Sequence, residues 1–156
     1  MRIVDLTMIL QEGMVTYPGH PVVEITQLAR FGYEGKETRK IVLGTHTGTH
    51  IDAPRHYIEG GATVEHIPLG VLCGPARLID LSNHPAHGVE SDVLADALGG
   101  RPAERVLLRF DGDKRLGSMD YYTGQPWLTE DAAKWLVGSG CKLLGMDTPM
   151  PDARPR

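Results

Sequence analysis

The stretches "ERVLLRF" (104–110) and "LTEDAAKWLVGSGCKLLGMD" (128–147) decide the fold class. The first is a short apolar run with β-type residues and reads as a buried strand. In the second, Thr129 stands as an N-cap, Glu130 and Asp131 occupy the first turn, and Gly138 and Gly140 close the segment. Those signals predict a helix over 128–140. "CKLLGMD" (141–147) then reads as another strand. Strand, helix, strand at this spacing predicts a parallel pair, since a crossover helix lets the chain return in the same direction. "SDVLADALGG" (91–100) adds a helix with Ser91 as its cap and Gly99-Gly100 as its stop.

Upstream the pattern changes to short β-type runs. "RIVDLT" (2–7), "VVEITQL" (22–28), "RKIVLGTHTGTHID" (39–52) and "ARLIDLS" (76–82) are each expected to be strands. "EGMVTYPGHP" between the first two is turn-rich, with Pro18-Gly19 and Pro21. The expectation is one mixed α/β domain over residues 1–156, with a strand-rich N-terminal half.

Composition narrows the function. The chain has 156 residues, 41% hydrophobic and 23% charged, which describes an ordinary folded protein and not a disordered one. A net charge of −4, without a basic stripe, speaks against nucleic acid or an anionic membrane as partner. No stretch approaches the ~20 apolar residues of a membrane span, and the start carries no secretory signal pattern. Cys73 and Cys141 form no CxxC pair, so both are expected to be buried free thiols of a cytoplasmic protein.

"HTGTHIDAPRH" (46–56) concentrates three of the seven histidines with an aspartate. His46, His50, Asp52 and His56 all fall at even positions, and residues of one parity share a face of an extended strand. Two neutral imidazoles and a carboxylate suit Zn²⁺, Mn²⁺ or Fe²⁺ better than Mg²⁺ or Ca²⁺. His56 follows the Ala53-Pro54 break, where it can stay off the metal and move protons for a metal-activated water. A hydrogen-bonded structural cluster is the plain alternative.

The other candidates are weaker. His66, His84 and His87 read as surface or loop histidines, and His20 sits in a turn that can lie near a site, although nothing in the sequence demands it. Tyr17 and Phe31 can wall an aromatic pocket, or Tyr17 can be an ordinary turn aromatic. Asp111, Asp113 and Lys114 read as a solvated turn. Asp147, at a strand end, either orients a ligand or caps a turn. His50-x-Asp52 also matches half of the iron-binding triad of a non-haem oxygenase, which would require a jelly roll and a distal histidine such as His84 or His87. No nucleotide-binding or serine-hydrolase motif is present.

"HTGTHIDAPRH" resembles the HxGTHxDxPxH motif of the metal-dependent cyclase/hydrolase family, which includes arylformamidases (kynurenine formamidases) and isatin hydrolases. The resemblance extends to "IVDLTMILQEGMVTYPGHP", to "YIEGGATVEHIPLGVLCGPARLIDLS" and to "YYTGQPWLTEDAAKWLVGSGCKLLGMDTP". It implies a swivelling β/β/α fold, assembly as a homodimer or larger homo-oligomer, and hydrolysis of an amide or a cyclic amide or ester. It also implies that His46, His50 and Asp52 hold a divalent metal, Zn or Mn, that His56 transfers protons, and that Tyr17 stacks on the substrate. Family members continue for some fifty residues past "DTP" and there supply a further His and Glu to the metal. This chain ends at "MPDARPR", so the resemblance implies a domain truncated at its C-terminal end. A relative that keeps the metal and has lost catalysis, serving assembly, is the alternative. An acidic residue is common in the family where His20 stands, and "RFDGDKRLGS" also departs from its pattern.

Overall fold

The computed structural model describes residues 2–85 and 88–153. His87 lies outside the described residues. The chain divides into two compact units, one running to Glu65 and one from His66 onward.

The first unit is built on one hairpin. Strand β1 (Glu24–Ala29) leads through the single-turn helix α1 (Phe31–Glu34) into β2 (Thr38–Val42). The strands pair antiparallel with Ile25 opposite Ile41, and a bulge lies between Gln27 and Ala29. The turn closes at Gly35, whose φ of 67° lies in the left-handed region that favours glycine. Val23 and Ala29 are buried here.

Two expected strands change in this unit. Residues 2–7 form none. Asp5 instead accepts hydrogen bonds from the Thr7 backbone N–H and hydroxyl, which takes the backbone away from a ladder. Ile3, Leu6 and Ile9 are all more than four-fifths exposed, so no apolar face is buried that would fix a register. The run expected at 39–52 is a strand only as far as Val42, whose partner Glu24 is the first residue of β1. The first half therefore carries fewer strands than its β-type composition leads one to expect.

The second unit follows the α/β expectation closely. Its elements are helix α2 (Leu69–Leu72), strands β3 (Arg77–Asp80) and β4 (Gly88–Val89), and helix α3 (Ser91–Leu98). They continue as β5 (Arg105–Arg109), helix α4 (Asp120–Thr123), β6 (Trp127–Leu128), helix α5 (Glu130–Gly138) and β7 (Leu143–Met146). Strands β3, β5 and β7 form a parallel sheet in that order, and β4 pairs parallel with β6. The parallel pair predicted from strand–helix–strand is thus β5 with β7. The mixed α/β class holds, with antiparallel pairing in the first unit and parallel pairing in the second.

Alternation along β5 sets the core. Val106 and Leu108 are buried and join Ile79, Leu94, Leu98, Ala132 and Leu136 in one cluster, while Leu107 faces out. Burying the six larger aliphatic side chains among them contributes about 1.5–3 kcal/mol each. Thr129 caps α5 as expected, its hydroxyl oxygen accepting the Ala132 N–H at 3.2 Å. Ser91 does not cap α3. Glu90 takes the cap position, and the Ser91 hydroxyl donates to the Asp131 carboxylate. Arg105 is buried and donates from Nε to the Val71 carbonyl at 2.8 Å, which ties α2 to the sheet. Cys73 is exposed and Cys141 half-buried, against the expectation that both thiols would be covered; both are free. Burial pushes the Cys141 thiol pKa up.

Candidate metal centre

His46, His50 and Asp52 converge, but on a turn and not on the face of a strand. Residues 45–49 turn back on themselves, and Gly48 takes φ 68°, a conformation that favours glycine. A Cβ on Gly48 would stand 2.6 Å from Leu10 Cδ2, the far end of an exposed side chain that can turn aside, so it is the positive φ that selects glycine. The Thr49 hydroxyl accepts the Met8 N–H at 2.9 Å. Shared parity singled out three residues that do come together, but through a turn and not across the face of a strand.

The three donor atoms form a small triangle. His46 Nδ1 lies 2.7 Å from Asp52 Oδ1 and 3.2 Å from His50 Nε2, and His50 Nε2 lies 3.3 Å from Asp52 Oδ1. Ligands at about 2.1 Å around a tetrahedral ion stand about 3.4 Å apart, so the triangle needs little opening to hold one. Proton counting supports the same conclusion. His50 Nδ1 lies 2.8 Å from the Gly48 carbonyl, and a carbonyl only accepts, so in the neutral ring Nδ1 carries the proton. His50 Nε2 then presents a lone pair to the Asp52 carboxylate oxygen. Of the three converging atoms only His46 Nδ1 has a proton to offer, and a divalent cation satisfies all three at once.

His56 is placed by a separate device. Pro54–His56 forms a turn of 3₁₀ helix, with Pro54 at its start, where a missing N–H costs nothing. Arg55 N–H donates to Ala62 O at 3.0 Å, and Gly61 packs so closely that a Cβ there would meet Ile58 O and the Pro54 carbonyl carbon at 2.9 Å. In this clamped loop the His56 ring stacks over His46, centroids 3.9 Å apart and planes 31° apart. Tyr57 meets His56 edge-on at 4.2 Å. His20, whose turn the sequence allows near a site without demanding it, lies 6.2 Å from His46 and 5.2 Å from Tyr17. The signal that pointed to it was the Pro-Gly pair, which fixes the turn that carries it.

The remaining candidates resolve into structure. Asp147 caps a turn: its carboxylate accepts the Phe110 N–H at 2.8 Å and the Gly112 N–H at 3.0 Å. Asp111 is more than a solvated turn residue. It sits at φ 55° and pairs with Arg109 and Lys114, each at 2.5 Å, and these hydrogen bonds hold its pKa below the usual carboxylate range. Asp113 is exposed. Phe31 is exposed on α1. His66 closes a short 3₁₀ turn, and His84 Nδ1 lies 2.8 Å from the Pro85 carbonyl. The parallel sheet rules out the all-antiparallel jelly roll that the oxygenase reading requires.

A mixed α/β fold with a two-histidine, one-carboxylate donor set defines a class of protein equipped for a divalent cation. Within that class the chain belongs to the cyclase family, whose sequence pattern matches residues 4–153. It is 31% identical to a kynurenine formamidase of Bacillus cereus over 150 residues, covering 96% of this chain and 69% of the relative. A kynurenine formamidase of Maricaulis maris is 28% identical over 92% of this chain and 67% of its own length. Among solved structures, isatin hydrolase A from Labrenzia aggregata superposes with a TM-score of 0.82 at 28% identity, over 97% of this chain and 70% of that one. The fold is that of the isatin hydrolases.

Proposed function

We propose that this chain is a metal-dependent hydrolase that cleaves an amide, or a cyclic amide or ester, in the manner of an arylformamidase. The donor triangle of His46, His50 and Asp52 is the observation that carries the proposal. These residues hold the cation, zinc or manganese, and the names of the relatives support the reaction class. When bound, the cation polarises the carbonyl and lowers the pKa of water.

The chain's own residues do the rest. His56, held against His46 by the 53–62 loop, accepts the proton of the attacking water at an imidazole nitrogen and returns it to the leaving nitrogen or oxygen. An imidazole suits both directions because its ordinary pKa lies near neutrality. Tyr17 offers its ring to the aromatic part of the substrate. The protein acts in the cytoplasm as a homodimer or larger homo-oligomer. No helix among the described residues is long and apolar enough to cross a membrane.

Metal analysis with a formamidase assay tests the proposal. The purified chain should hold one zinc or manganese per protomer and hydrolyse N-formylkynurenine or a simpler formanilide. His46→Ala should lose metal, whereas His56→Ala should keep it and lose turnover. Equal metal loss in both variants sinks the role given to His56, and metal without turnover in the unaltered chain favours a non-catalytic relative.

A further inference from the structure

The turn that carries the metal donors has little of its own to hold it. No backbone–backbone hydrogen bond lies within residues 43–52 among the described residues. Thr47 is buried, but its hydroxyl has no partner and adds no bond to the turn. His50 Nδ1 engages the Gly48 carbonyl, which orients one ring. Pro21 touches the entry to the turn, since a Cβ added at Gly44 would stand 3.4 Å from Pro21 Cδ. Yet the three donor atoms stand only 2.7 to 3.3 Å apart. A turn without backbone bonds of its own keeps that spacing through contacts from outside.

Residues 5–14 supply the hydrogen bond that does so. Asp5 bends the chain at Thr7, and the next residue, Met8, donates its N–H to the Thr49 hydroxyl at 2.9 Å. Leu10 then lies over Gly48. Gly13, at φ 73°, reverses the chain, and the Met14 N–H reaches back to the Gln11 carbonyl. At that reversal the Glu12 carboxylate accepts the Ile25 N–H at 3.0 Å, which ties the segment to the β1–β2 hairpin. The segment has little burial to hold it otherwise, with Ile3, Leu6 and Ile9 all more than four-fifths exposed. It is a strap with one end on the hairpin and the other on the donor turn.

We propose, resting on the metal-centre reading, that residues 8–12 are a strap that sets the donor turn for the cation. Thr49 is its positioning residue and Glu12 its anchor. Thr49 directly precedes His50, so the bond from Met8 fixes the direction in which the backbone enters that donor. With the strap docked, His50 Nε2 stays beside His46 Nδ1 and Asp52 Oδ1. Once it is released, no backbone bond within the turn keeps them together. Docking and cation binding therefore favour each other, and linkage makes the effect equal in both directions.

The test measures zinc affinity by dye competition, hydrogen exchange at the Met8 amide, and backbone order parameters of residues 45–50. Thr49→Val keeps the side-chain shape and removes the acceptor. It should weaken zinc binding and speed Met8 exchange, each by about 2- to 10-fold, the range of one net hydrogen bond. In the metal-free chain it should also lower the order parameters of 45–50 from the rigid ~0.85 toward the flexible range below ~0.6. Thr49→Ser, which keeps the hydroxyl, should restore all three. Glu12→Ala, which alters no residue of the turn, should weaken zinc binding as well. Adding it to Thr49→Val should cost nothing further, because a strap already released cannot be released twice. Zinc, in turn, should slow Met8 exchange in the unaltered chain. Unchanged affinity in Thr49→Val, a loss that persists in Thr49→Ser, additive losses in the double variant, or no effect of zinc on Met8 would each overturn the strap. Should the unaltered chain bind no zinc, the metal-centre reading fails, and the metal-free chain decides the strap. Faster Met8 exchange together with a loosened 45–50 in Thr49→Val supports it, and a change confined to Met8, or none, overturns it.

Discussion

Asp147→Asn separates a turn cap from a ligand-orienting carboxylate. The Asp147 carboxylate receives two backbone N–H groups, from Phe110 at 2.8 Å and from Gly112 at 3.0 Å, one on each oxygen. The second contact is enforced by close packing, since a Cβ on Gly112 would fall 1.7 Å from the Asp147 carbonyl oxygen. An asparagine keeps the shape but replaces one acceptor oxygen with an NH₂ that faces an N–H. One charge-assisted hydrogen bond is lost outright and the other becomes neutral. At ~1.5–3 kcal/mol for a hydrogen bond to a charged group and ~0.5–1.5 for a neutral one, the loss is about 2–4 kcal/mol. Both partners lie in the unit that contains the β3-β5-β7 sheet, so the loss registers in its unfolding. With a urea slope of ~1–3 kcal/mol/M, the midpoint should fall by about 1–2 M at an unchanged slope. A stability within ~0.5 kcal/mol of the unaltered chain, as for an ordinary surface substitution, would refute the cap. If that variant also lost turnover, Asp147 would be a ligand residue after all.

Other expectations follow from single contacts. Gly48→Ala places a Cβ at φ 68°, a strain of about 1–2 kcal/mol that should weaken zinc binding about tenfold; unchanged affinity by competition with a chelating dye would show that the turn adapts. Thr129→Ala removes both the acceptor for Ala132 N–H and the hydroxyl that donates to Val89 O, and should cost ~1–2 kcal/mol in urea unfolding. Burial, with the Asp147 charge nearby, pushes the Tyr121 pKa up to about 12. The unfolded chain releases that proton near pH 10 and the folded chain near 12, so the contribution is complete below pH 10 and is lost as pH rises through 12. Absorbance of tyrosinate should show a ring titrating near 12 that is absent in Tyr121→Phe.

The sequence by itself determined the second unit and the chemistry of the first. Residues 128–147 contain a cap, an amphipathic run, a glycine stop and a strand, signals that act over three or four residues and need no distant partner to be read. The donor types at 46, 50 and 52 are equally local, because a metal selects for imidazole and carboxylate whatever the backbone does. Tertiary structure decided the rest. Whether residues 2–7 pair as a strand depends on a partner, and whether 43–52 extends or turns depends on where β1 begins and on the positive φ at Gly48. Whether Asp147 serves a ligand or a turn depends on Phe110 and Gly112, 37 and 35 residues away. The placement of His20 beside His46 belongs to the same group: its turn is legible in "YPGHP", but only the seat of Pro21 on Gly44 brings that turn to the donors. Hydrogen bonds and van der Waals contacts act over a few ångströms of space, and sequence separation carries no information about that distance until the chain has folded.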